Sequence, residues 1–136
     1  MTKYSPTGSA PQNALKARVD ALYLEYIFPV LATLRIGEDP EALEQEEELL
    51  EAAKSAGIRV RRYIMPDDLS REDVAGLIRE INLDPLLSAF LLLEPLPAHL
   101  DATALKAAVA PEKALEAGPV LNLLSRVCDA AERNTK

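Results

Sequence analysis

Tryptophan is absent from this chain. Two phenylalanines and four tyrosines hold the aromatic content to 4% of 136 residues. The chain is nonetheless 49% hydrophobic, so any core must be packed mainly from aliphatic side chains. Cysteine is nearly absent too. A single Cys128 excludes an intramolecular disulfide and fits a reducing cytoplasm, the expected localisation. A nucleophilic thiol needs an activating neighbour, and Cys128 lies in a helical pattern between Val127 and Asp129 with no histidine nearby. Positive charge is the minority: 15 Lys and Arg against 22 Asp and Glu give −7, which argues against nucleic acid as a partner. No apolar run approaches the roughly 20 residues of a bilayer span, so no membrane association is expected. The opening MTKYSPTGSAPQ has no apolar core of a secretory signal. The five glycines stand singly, and no Gly-x-Gly-x-x-Gly occurs, so no NAD(P) or other cofactor is expected on these residues.

What is present reads as one α/β domain. Residues 1–12 are rich in Pro, Ser, Gly and Thr and are expected to form a flexible leader; residues 13–136 form the domain. Leu15, Val19, Leu22, Tyr23 and Tyr26 recur at helical spacing, predicting a helix over about 13–28 that stops near Pro29. Residues 30–36, VLATLRI, predict a strand ending at Gly37. Asp39-Pro40 then reads as an N-cap with proline in the first turn of a helix that Gly57 terminates. Residues 59–65 predict a second strand, with Val60 and Ile64 on one face and Arg59, Arg61 and Tyr63 on the other, as at a sheet edge. Ser70 and Asp73 resemble a capping box for a third helix to about residue 81. After a break at residues 82–85 comes AFLLLEPLP, residues 89–97: an apolar run, then a stiff Pro-Leu-Pro corner. A strand apolar on both faces belongs in a parallel sheet covered by helices, and such sheets bind ligands beyond the carboxyl ends of their strands. Asp101 caps a short helix to about residue 109, and residues 120–131 predict a last one. The order α-β-α-β-α-β-α-α implies a three-layer α-β-α domain with a small, mostly parallel sheet of βαβ units.

Several blocks between about residues 29 and 119 carry a family likeness. They are LATLRIGEDP, AKSAGIRVRRYIMP and IREINLDPLLSAFLLLEPLPAHL, with Pro111-Glu112-Lys113 after them. Together these resemble the N-terminal catalytic domain of the methylenetetrahydrofolate dehydrogenase/cyclohydrolases, including its "Gln-Leu-Pro-Leu-Pro" block at preserved spacing. The resemblance implies an amino-acid-dehydrogenase-like N-terminal fold, a folate cleft beside residues 93–97, and a separate Rossmann domain that the expectation does not find here.

The resemblance also implies which residues should do chemistry, and these positions depart from the pattern. Aligned without gaps from Gly37 to Gly57, the family's serine position is Ala42, its tyrosine position Gln45 and its lysine position Leu49. The glutamine of the Pro-Leu-Pro block is Leu93. The first aspartate of the Asp-Val-Asp-Gly element is Ala114, the second is Glu116, and its glycine is Ala117. Leucine exchanges no proton, glutamine lacks a stacking face, and alanine cannot accept from a ring N–H. The degenerate site is therefore Gln45, Leu49, Leu93, Glu94, Pro95, Leu96, Pro97, His99 and Ala114, with no catalytic residue and no metal among them.

Other constellations have plainer readings. Glu44, Glu47, Glu48 and Glu51 fall on one side of the second helix, a solvated face or a weak divalent-cation site. Ala42, Leu49, Ala53 and Ala56 fall opposite, with Leu49 central to the apolar stripe. Arg59, Arg61 and Arg62 can hold an anion or pair with the acidic helix. Tyr23, Tyr26 and Phe28 read as core and boundary residues, and Val120, Leu121, Leu124 and Val127 as an apolar patch for the sheet or a second copy. Two functions remain open. One is a stand-alone, non-catalytic binding or regulatory module for a folate-like molecule or protein partner, able to self-associate. The other is a divergent one-carbon enzyme using relocated acid/base groups, of which Glu94, Glu116 and His99 are available, or a separate NAD(P)-binding partner.

Overall fold

The computed structural model describes residues 10–135, which form three strands and five helices. Residues 1–9 of the expected leader lie outside the described residues. Its last three, Ala10, Pro11 and Gln12, belong to helix α1 (Ala10–Leu24). The remaining elements are β1 (Val30–Ile36), α2 (Pro40–Ala56), β2 (Arg59–Met65), α3 (Arg71–Leu83), β3 (Ala89–Leu92), α4 (Ala102–Ala108) and α5 (Val120–Thr135).

The sheet is all parallel in the order β2-β1-β3. Leu31 of β1 pairs with Val60 on one side and Ala89 on the other. The central position of β1 explains its near-continuous burial, and the edge position of β2 its exposed alternation. Side chains on a strand alternate between faces. Leu31, Ala89, Leu91 and Leu93 join α1, α2 and α5 in one core, while Ala32, Leu34, Ile36, Phe90 and Leu92 join α3 and α4 in the other. The result is the expected three-layer α-β-α domain. The patch on the last helix is filled internally, because Leu124 and Val127 are buried in the first core.

Helix ends follow local chemistry. The Asp39 carboxylate accepts the Glu41 N–H at 2.9 Å, with Pro40 in the first turn. Ser70 Oγ accepts the Asp73 N–H at 3.1 Å. α1 ends four residues before the expected boundary, because Tyr26 turns left-handed at φ 61°. Its N–H reaches the Tyr23 carbonyl and the Ile27 N–H reaches the Leu22 carbonyl, a Schellman closure. Tyr26 is thereby turned outward to 83% exposure, so it is not the core or boundary residue that periodicity suggested. Gly57 closes α2 with the same pair of bonds, at φ 85°.

β3 is one residue shorter than its apolar run, although the Leu93 N–H still donates to the Leu34 carbonyl at 3.0 Å. Its outer edge is covered by an isolated parallel bridge between Phe90 and Ala114. The Phe90 N–H donates to the Lys113 carbonyl at 2.7 Å, and the Leu115 N–H to the Phe90 carbonyl at 3.1 Å. That cover protects an otherwise open edge.

Candidate functional site

At the carboxyl ends of β1 and β3 the chain forms a cavity of about 340 Å³. Its walls include Gly37, Glu38, Asp39, Asp67 and the corner Pro95, Leu96 and Pro97, entered through a cis peptide between Glu94 and Pro95. Gly37 adopts φ 87°, and a Cβ there would sit 3.0 Å from Asp67 Cβ, so the close approach of the two loops needs glycine.

The other expected site residues divide. Leu49 and Leu93, each 1% exposed, both belong to the core shared with α1 and α5; neither lines this cavity. Gln45 is half-buried on α2. The Glu94 carboxylate forms an ion pair with Lys106 at 2.6 Å. His99 is turned away: its ring Nε2 lies 2.8 Å from the Leu69 carbonyl, and its own carbonyl accepts from Arg71 Nε at 3.0 Å. His99 is not among the residues that line the cavity. Ala114 is exposed on the outer edge of β3 and faces a different cavity, of about 230 Å³, against α5. Glu116 is exposed.

The strongest polar feature near the site is one that composition hides. Glu46 is 2% exposed, and its carboxylate accepts from Arg35 Nε at 3.0 Å and Arg62 Nη2 at 3.2 Å. Arg35 Nη1 also donates to the Gly37 carbonyl at 2.6 Å, tying the triad to the cavity's turn. Helical spacing locates Glu46, four residues after Ala42 and three before Leu49, on the buried stripe of α2; its charge argues for the opposite face. Arg62 does pair with the acidic helix, but Arg61 pairs with Asp84 at 3.4 Å, and the Arg59 guanidinium has no ion pair or hydrogen bond among the described residues.

Two buried groups elsewhere are structural. Lys113 Nζ donates to the carbonyls of Ile81 and Asp84 at 2.8 and 2.6 Å, holding the end of α3; desolvation lowers its pKa. Burial pushes the Cys128 thiol up to about 11, which keeps it protonated and inert near neutrality.

The cavity's charge limits what it can hold. Glu38, Asp39 and Asp67 line it, Asp39 already occupies the first free N–H of α2, and Pro40 has none to offer. A dinucleotide pyrophosphate needs a glycine-rich turn and open helix N–H groups. The residues present do not fit that group. Among the described residues no three His, Cys, Asp or Glu are placed to hold a metal ion. No helix in the described residues is long and apolar enough to cross a membrane.

Comparison with known proteins gives a consistent answer. The family model for the tetrahydrofolate dehydrogenase/cyclohydrolase catalytic domain matches residues 6–116. The bifunctional protein FolD of Bordetella avium is 34% identical over 105 residues, which are 77% of this chain and 37% of that protein. The FolD 1 protein of Lactobacillus johnsonii is 36% identical over 98 residues, 72% of this chain and 35% of that protein. The solved FolD methylenetetrahydrofolate dehydrogenase/cyclohydrolase of Campylobacter jejuni superposes with a TM-score of 0.74 at 21% identity, over 76% of this chain and 37% of that one. The Trypanosoma brucei enzyme, solved with NADP and an inhibitor, gives 0.72 at 24% identity, over 76% and 36%. The chain thus spans a little over a third of the length of these relatives.

Proposed function

The chain belongs to the tetrahydrofolate dehydrogenase/cyclohydrolase family, as a match to its catalytic domain, and from that premise we propose that it is a non-catalytic binding module of one-carbon metabolism. The observation that carries this reading is the burial of Leu49. The residue aligned with the family's lysine is sealed in an aliphatic core, and Leu93, aligned with its glutamine, is sealed in the same core. A proton-transfer group at either position would have to reach a reacting atom within hydrogen-bond distance. These two side chains carry no proton to transfer and have no solvent path.

Further support comes from α5. It lies beyond residues 6–116 and contributes Leu123, Leu124, Val127 and Cys128 to that core. What stays open is the acidic cavity beside residues 95–97, whose carboxylates favour an uncharged or cationic head rich in N–H donors over a phosphate-bearing one. A folate-like ring is the ligand this reading assigns to it.

The test is hydrolysis of methenyltetrahydrofolate by the purified chain, followed by absorbance, with calorimetric titration of tetrahydrofolate alongside. The expected result is no turnover above the uncatalysed rate, together with saturable heat. Turnover that disappears in Glu94→Gln would overturn the non-catalytic reading. No heat at millimolar tetrahydrofolate would remove folate as the ligand.

A further inference from the structure

A cavity of about 510 Å³ lies at the amino ends of the strands, opposite the family cleft. Val30, Arg59 and Ser88 mark the three strand starts, and the α1–β1 and α3–β3 loops form the walls. The volume falls within the range of small-molecule sites, which are apolar with a few convergent polar groups. Here the apolar part is Tyr26, Ile27, Phe28, Leu86 and Leu87. The polar part is two arginines, Ser88 and Asn134.

Three observations point to an occupant. First, large apolar side chains on this rim face water: Leu86 is 70% exposed, and Tyr26 and Phe28 are exposed as well. Second, Tyr26 sits where a helix closure takes glycine. A non-glycine residue in the left-handed region is strained, and the ring recovers little by burial. Gly57, in the same role on α2, shows what the closure alone requires. Third, the Arg59 guanidinium has no partner among the described residues, in a chain of net charge −7.

The surrounding charges do not fill that vacancy. The nearby Asp84 carboxylate is engaged by Arg61 and by the Leu86 N–H at 2.9 Å. The last carbonyls of α3 are capped by Lys113, and those of α1 by the Schellman bonds. We propose that this cavity binds a small amphipathic carboxylate, with its apolar body against Tyr26, Phe28 and Leu86 and its carboxylate on Arg59.

The experiment uses 2-naphthoate as the probe, followed by amide chemical shifts in the full chain, with uncharged 2-naphthalenemethanol as the control. Saturable shifts are expected at Ile27, Phe28, Leu86 and Ser88. The alcohol and the Arg59→Met variant should each bind about tenfold more weakly, as loss of a charge-assisted hydrogen bond predicts. Tyr26→Gly should weaken binding while leaving the thermal midpoint unchanged or raised, which separates the ring's role from the fold's. Absence of saturable binding at millimolar probe, equal affinity for the alcohol, or no effect of Arg59→Met would each overturn the proposal. Shifts confined to residues 37–39, Asp67 and Leu96 would also overturn it, and would concern the folate cleft instead.

Discussion

Thr33 is the residue whose environment is least satisfied. It is 1% exposed on β1, and its hydroxyl has no hydrogen-bond partner among the described residues. Its strand partners Leu91 and Arg62 show that it faces the α2 layer, where Leu31 and Leu91 make the core aliphatic. A buried, unbonded hydroxyl costs about 1–3 kcal/mol. Thr33→Val keeps the shape and the β-branch, so it should stabilise the fold by about 1 kcal/mol, measured by urea denaturation. Cys128 gives a second residue-scale prediction. Its thiol is held protonated to about pH 11 in the folded chain, against an ordinary value of 9.0. Between those limits the unfolded chain carries fewer protons, so this thiol's contribution is complete below pH 9 and is lost as the pH rises toward 11. Comparing thermal midpoints of wild type and Cys128→Ala from pH 8 to 11 should show the gap between them narrowing or reversing with alkalinity.

At the scale of elements, α2 is fastened to the sheet by charge as well as by leucine. Removing the Glu46 carboxylate leaves Arg35, buried and central, with no anion. Glu46→Ala should therefore destabilise by about 3–5 kcal/mol, and Arg35→Met with Glu46→Leu should recover much of that; a double-mutant cycle by denaturation checks both. The two Schellman closures make a matched pair. Gly57→Ala should cost about 1 kcal/mol through its left-handed backbone alone, because the added Cβ would meet only Val19 Cγ1, at 3.6 Å. Tyr26→Gly should be neutral or stabilising by a similar amount. Element boundaries were legible in the sequence wherever a cap was chemically distinct, as at Asp39, Ser70, Gly57 and Asp101. The end of α1 was not legible, because tyrosine is not a closing residue by composition; only the bonds made by residues 26 and 27 reveal the turn.

At the scale of the molecule, the fold class followed from alternating apolar segments. The membership of the site was less legible. Spacing on one helix brought Leu49 into the core correctly, but His99 and Ala114 were placed by neighbourhood along the chain. The His99 ring bonds to the Leu69 carbonyl, and Ala114 lies opposite Phe90 in the bridge beside β3. The buried Glu46 was obscured by six other glutamates between positions 38 and 51. The site's closure makes its own prediction. Leu49→Lys would place an ammonium among aliphatic side chains, so it should lower stability by several kcal/mol and titrate well below an ordinary lysine. Stability of that variant measured from pH 6 to 10 should rise with pH, because the unfolded state holds the extra proton.

The clasp between the two ends of the described chain bears on the order of assembly. Arg18 of α1 donates to Asp129 of α5 at 2.7 Å and also to Glu132. β1 meets β2 across one short crossover, with Val30 opposite Arg59, but α1 meets α5 across more than a hundred residues. Loop-closure entropy favours the nearer pairing first. During synthesis the β1-α2-β2 unit can close early, while Leu31, Leu91 and Leu93 stay open to water until residues 123–131 leave the ribosome. Over that interval the nascent chain is most vulnerable to aggregation on the face that α5 finally covers.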